Sequence, residues 1–238
     1  MRLGVELNTL ELYIIPEEME EQEECVLPVL DLTGRDYVEE YLDSAVTLSS
    51  FATSSYLFNK YPHHISRLPK LYRLKIKAYS QDDASTIRPR DFTFASLREL
   101  HLVGFMSSDI EAKWMMTPMT KNITAFEVTG TRPTLTTQFD SDISLVTDLS
   151  GFIASCITEY PKLTMLRLEF DSALRVVKIG EQALQLLSQQ PLRQLYLRKV
   201  SVADALEDYV VQCVTSLFTD LEVLVWLDFQ QWQLEELR

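Results

Sequence analysis

Lys162-Leu-Thr-Met-Leu-Arg-Leu-Glu-Phe170 decides the reading of this chain, because its leucines fall at Leu163, Leu166 and Leu168 and the same spacing keeps returning. In such a segment the alternate residues of a short strand point the same way, so the leucines line one face. The further matches are Leu7/Leu10/Leu12, Leu27/Leu30/Leu32, Leu71/Leu74/Ile76, Leu97/Leu100/Leu102, Ile123/Phe126/Val128, Leu192/Leu195/Leu197 and Leu221/Leu224/Trp226. With Leu163 included, successive first positions are 20, 44, 26, 26, 40, 29 and 29 residues apart.

A repeat of about 20 to 29 residues built on L-x-x-L-x-L is the pattern of leucine-rich repeats. One match means little, since leucine is common, but eight in order predict the architecture. The expected fold class is α/β: a leucine-rich-repeat solenoid with a concave parallel sheet of about eight short strands and irregular convex helices and loops. Each repeat of a solenoid contacts only its neighbours, so residues 1–238 read as a single domain.

The gaps of 44 and 40 residues need helices or irregular repeats to fill them. From Asp36 to about Lys60 the apolar positions Val38, Tyr41, Leu42, Ala45 and Leu48 follow helical spacing, which predicts a convex-side helix. Tyr61-Pro-His-His64 is expected to end it in a turn, and no Cys or carboxylate falls at ligand spacing from His63 or His64. The second gap is expected to close with a helix carrying Leu145, Leu149, Phe152, Cys156 and Tyr160 on one inward stripe. Ala203, Leu206, Val210, Cys213 and Leu217 predict another helix after the seventh rung. Phe92 and Phe94 are expected to tuck inward, and Ser108-Asp-Ile-Glu111 has the form of a capping box opening a short helix with Ile110 and Trp114.

Charge narrows the class of partner. The formal net charge of −13 argues against nucleic acid, whose phosphates require a surface dominated by Lys and Arg. Residues 17–24 hold six glutamates in eight positions and read as a solvated acidic loop, whereas residues 61–120 carry 9 Lys/Arg against 6 Asp/Glu. No apolar run reaches the 18 or so residues of a membrane span, and acidic residues interrupt the N-terminus before a signal-peptide core can form. Three cysteines, Cys25, Cys156 and Cys213, without paired spacing suit reduced thiols and a cytoplasmic or nuclear location. No Gly-rich phosphate loop, metal motif or Ser/His/Asp spacing is present, so the chain reads as a non-enzyme with no cofactor and no metal. The alternative is an enzyme activator on a repeat scaffold, of the GTPase-activating kind.

Rungs such as Phe94-Ala-Ser-Leu-Arg-Glu-Leu-His-Leu102 and Tyr160-Pro-Lys-Leu-Thr-Met-Leu-Arg-Leu168 resemble the leucine-rich-repeat portion of fungal F-box-like proteins, in the ribonuclease-inhibitor-like superfamily. The resemblance implies a protein-interaction module in which the repeats select a substrate, while an F-box engages a Skp1-type adaptor of a ubiquitin ligase. No F-box-like segment precedes Leu7, so adaptor binding would need a region absent from this chain. The chain is accordingly expected to be part of a longer protein, and its open ends to favour self-association. The chain departs from regular repeats where they place an Asn or Cys after the third leucine. Here those positions hold Ile15, Arg35, Tyr79, Phe105, Thr131, Asp171, Val200 and Phe229.

Strand alternation also predicts the binding face. With the rung leucines turned inward, Arg73, Lys75 and Lys77 face out, followed by Glu99, His101 and Val103, then Ala125, Glu127 and Thr129. Met165, Arg167 and Glu169, then Gln194, Tyr196 and Arg198, continue the series. Folding requires no cations at three alternate positions of one rung. The binding candidates are therefore Arg73, Lys75, Lys77, His101, Arg167, Tyr196 and Arg198, a basic and aromatic strip expected to recognise an acidic segment of a partner protein. The chain's own residues 17–24 could compete for it, and an idle solvated face is the simplest alternative.

Overall fold

The computed structural model describes residues 7–13, 36–78, 93–105, 110, 121–131, 146–170, 176–202 and 220–227. Among these are eleven strands and five helices. Eight strands make one sheet: β1 (Thr9–Leu12), β2 (Ser50–Ser54), β3 (Arg73–Lys77), β4 (Glu99–Val103), β5 (Ala125–Thr131), β7 (Met165–Phe170), β9 (Gln194–Arg198) and β11 (Val223–Leu227). All are parallel and lie side by side in chain order. Three shorter strands, β6 (Val146–Asp148), β8 (Val176–Ile179) and β10 (Val200–Val202), make a second parallel sheet in the order β10-β8-β6. The helices are α1 (Tyr37–Ser44), α2 (Ser55–Lys60), α3 (Pro62–Ser66), α4 (Ser150–Glu159) and α5 (Glu181–Ser188). None of them is long and apolar enough to cross a membrane.

The leucine spacing becomes two continuous rows on the inner face of the large sheet. The strand register stacks Leu10, Phe51, Leu74, Leu100, Phe126, Leu166, Leu195 and Leu224 in one row. Leu12, Thr53, Ile76, Leu102, Val128, Leu168, Leu197 and Trp226 form the second. The first residues of the rungs, from Leu71 through Leu97, Ile123 and Leu163 to Leu192, are also buried. Each fully buried leucine contributes roughly 1.5–3 kcal/mol. Phe152, Ile153 and Cys156 of α4 and Ala183, Leu184 and Leu187 of α5 cover the core from the other side, with the two helices packed together. Phe94 is buried with them, as expected, and so is Ile110.

Three expectations are corrected. The single helix from Asp36 to about Lys60 is instead α1, a strand and two short helices. Asp36 caps α1 by accepting the backbone N–H groups of Val38 and Glu39, at 3.1 and 3.2 Å. Burial pushes its carboxyl up, but the Tyr61 hydroxyl, these N–H groups and Lys60 hold it below the usual range. The chain then leaves helix because the N–H groups of Ser49 and Ser50 donate to Asn8 O, and those of Tyr72 and Arg73 donate to Ser49 O. Those bonds seat Leu48, Phe51 and Thr53 in the rung positions.

Second, β1 takes β2 as its neighbour, where the leucine pattern places the Leu27/Leu30/Leu32 rung. Those three residues, the acidic loop at 17–24, Phe92, the capping-box residues Ser108, Asp109 and Glu111, and the helix expected from Ala203 to Leu217 all lie outside the described residues. Third, the helical stripe expected to begin at Leu145 starts later. Val146–Asp148 is a strand paired with β8, Leu149 N–H donates to Lys178 O, and α4 begins at Ser150.

In place of an asparagine, Phe105 and Val200 are buried after their strands. The residue before each has a positive φ, Gly104 at 78° and Lys199 at 57°, and so does Gly130, at 63°. At Gly104 a Cβ would lie 2.5 Å from the Ala78 carbonyl oxygen, so only glycine fits that turn.

Candidate functional site

The face of the large sheet opposite the leucine rows carries all seven expected binding residues. Arg73, Lys75 and Lys77 project from β3, His101 from β4, Arg167 from β7, and Tyr196 and Arg198 from β9. Register places Lys75 beside His101 and Arg167 beside Tyr196, but Glu127 of β5 stands between the two pairs. Lys77 and Arg198 lie in the next row, separated by Val103, Thr129 and Glu169.

The strip is therefore interleaved with carboxylates rather than uniformly basic. Arg73 Nε donates to Glu99 Oε2 on the neighbouring strand. Glu169 takes two arginines at once, Arg198 Nη1 at 3.1 Å and Arg167 Nη2 at 3.6 Å. The Arg167 guanidinium also lies over the Tyr196 ring, 6.0 Å from its centroid.

His101 is not a cation at neutral pH. Burial pushes it down to about 4, with Lys75, Arg167 and Arg73 adding positive charge around it. Its Nε2 meets Thr129 Oγ1 at 3.0 Å, while Nδ1 lies 3.8 Å from Glu127 Oε2, too far for a hydrogen bond. Lys75 is half-buried, as Lys77 and Arg167 are, but it has no hydrogen bond or ion pair with the described residues.

Lys75 and His101 line a pocket of about 370 Å³ that runs from β1 to β5. The small side chains of Ser50, Ala52 and Ala125 leave the space, and Glu11, Glu127 and the Arg73–Glu99 pair also line it. Sequence reasoning missed Glu11, Ser50 and Ala52, the last two because β2 was read as helix. Glu99, Ala125 and Glu127 were placed on this face, but nothing in their spacing announced a pocket.

A second cluster lies away from the sheet face. His63 and His64 sit in α3 rather than in a turn, and the fold brings Glu39 and Asp43 of α1 against His64. These three side chains are a group that could hold a metal ion among the described residues. Cys156 is buried in the core, as its helical spacing predicts.

No protein-family model matches the chain, and no curated protein is significantly similar to it.

Proposed function

We propose that the chain is a protein-recognition module, a leucine-rich-repeat solenoid whose concave face is the outward face of the eight-stranded sheet. On this reading it serves as the substrate-recognition or scaffold repeats of a protein similar to the fungal F-box-like group. Its ligand is an extended acidic segment of a partner, with one carboxylate seated on Lys75.

The observation that carries the reading is Lys75, a half-buried ammonium with no ion-pair partner among the described residues, in a pocket of about 370 Å³. A partner carboxylate supplies what that ammonium lacks, and removal from bulk water strengthens the attraction. Glu11, Glu99 and Glu127 around the pocket set the register, because an acidic side chain displaced onto them is repelled. Arg167 and Tyr196, already stacked, offer a second and more apolar contact three and four strands along from β3.

The test is selection from a displayed library of random peptides, comparing the parent chain with Lys75→Glu and with the Lys75→Glu/Arg167→Glu pair. The expected result is enrichment of Asp- and Glu-containing peptides by the parent, with affinities that fall as salt rises. Both variants should lose that enrichment. Selected peptides without acidic character, or acidic peptides held equally by the double variant, would overturn the reading.

A further inference from the structure

The cluster between α1 and α3 is independent of the sheet face. Glu39 and Asp43 are one helical turn apart, so their side chains leave the same side of α1. His64 crosses from α3 and places one ring nitrogen against each carboxylate. Nδ1 is 2.7 Å from Asp43 Oδ1, and Nε2 is 3.4 Å from Glu39 Oε1. All three donor atoms lie within 4.8 Å of one another.

The two contacts differ in kind. The Asp43 distance is a short hydrogen bond, with Nδ1–H donating to the carboxylate. That contact holds the imidazole plane and turns its Nε2 towards Glu39. At 3.4 Å the Nε2–Glu39 separation exceeds the usual hydrogen-bond range. Two donors bound at about 2.0–2.1 Å to a tetrahedral zinc ion stand roughly 3.3 Å apart. Metal-bound histidines commonly donate their other N–H to a carboxylate, as His64 does to Asp43. Lys60, four residues before His64, is 3.6 Å from Asp36, which also accepts the Tyr61 hydroxyl.

We propose that His64 Nε2 and Glu39 bind a divalent transition-metal cation of the zinc class, with Asp43 orienting the imidazole and water filling the remaining positions. The imidazole donor selects zinc over magnesium or calcium, which prefer oxygen. The bound ion ties α1 to α3, segments that the chain separates by β2 and α2.

The test is calorimetric titration of the chelator-stripped full chain with zinc chloride at pH 7.5, beside thermal unfolding with and without zinc. The expected result is a saturable site that Glu39→Gln and His64→Asn both remove, and that Asp43→Asn weakens about 10- to 100-fold. Zinc should raise the melting temperature of the parent but not of Glu39→Gln, and magnesium chloride should do neither. Glu39 is half exposed, so its variant keeps the fold even where His64→Asn does not. Zinc binding that is unchanged in Glu39→Gln, or no saturable binding by the parent, would overturn the proposal.

Discussion

On β3 the side chains of Leu74 and Ile76 are sealed from solvent, while Arg73, Lys75 and Lys77 on the same strand face water. The two faces that result answer to different forces. Behind the sheet, eight strands supply mostly interchangeable apolar groups, and Thr53 can stand in a row of leucines and valines without breaking the stack. In front, the side chains are not interchangeable, because each cation is matched to a particular carboxylate across a strand or left without one. Burial sets the stability of one face, and the pattern of charge sets the selectivity of the other.

The sharpest way to break this contrast is to alter each face at neighbouring positions. Leu166→Ala removes a buried rung from the inner row and should cost about 2–5 kcal/mol in urea unfolding. Gln194→Ala, one residue before the rung leucine Leu195 on the next strand but on the outer face, should change stability by about 0.5 kcal/mol or less. Equal losses would mean that the outer face is as tightly packed as the inner one.

An intermediate effect is expected at His101, whose burial disfavours the protonated imidazole. Its folded pKa of about 4 lies below the unfolded value of 6.5, so the unfolded chain binds the extra proton as the pH falls. Stability from this group is complete above pH 6.5, falls between 6.5 and about 4, and levels off below that. The loss amounts to at most about 3 kcal/mol. His101→Gln should lack this component, which urea titrations of parent and variant at pH 7 and pH 4.5 would reveal. Parallel pH profiles would show that His101 protonates freely beside Lys75, Glu127 and Arg167.

The smallest effect should come from Arg73 and Glu99. Their ion pair is direct, but the Arg73 side chain is 59% exposed, so solvent screens it. A double-mutant cycle with Arg73→Ala and Glu99→Ala should return a coupling below about 1 kcal/mol. A larger value would make the outer face a contributor to folding as well as to recognition.

Much of this arrangement could be read from the residues alone. Seven of the eight strands of the large sheet coincide with L-x-x-L-x-L matches, and period-two alternation assigned Arg73, Lys75, Lys77, His101, Arg167, Tyr196 and Arg198 to one face. Ser50–Ser54 was missed because Val38, Tyr41, Leu42, Ala45 and Leu48 continue to Phe51 at helical steps. Its rung also ends in Thr53 where the pattern expects an aliphatic side chain. Local spacing therefore favoured helix through a segment that cross-strand hydrogen bonds pull into the sheet.

What the chain determines by itself is periodicity: which residues can share a face, and which of those faces must leave water. Tertiary structure decided the rest, since a charge is defined by what stands opposite it. Glu99 neutralises Arg73 and Glu169 holds Arg198 across neighbouring strands, 26 and 29 residues apart in sequence, while Glu169 also meets Arg167 two residues before it on its own strand. Lys75 has no ion-pair partner among the described residues, since its neighbours across the strands are Ala52 and His101 rather than a carboxylate. His64 meets Asp43 across 21 residues for the same reason, because electrostatic pairing follows distance in space, which linear spacing does not encode.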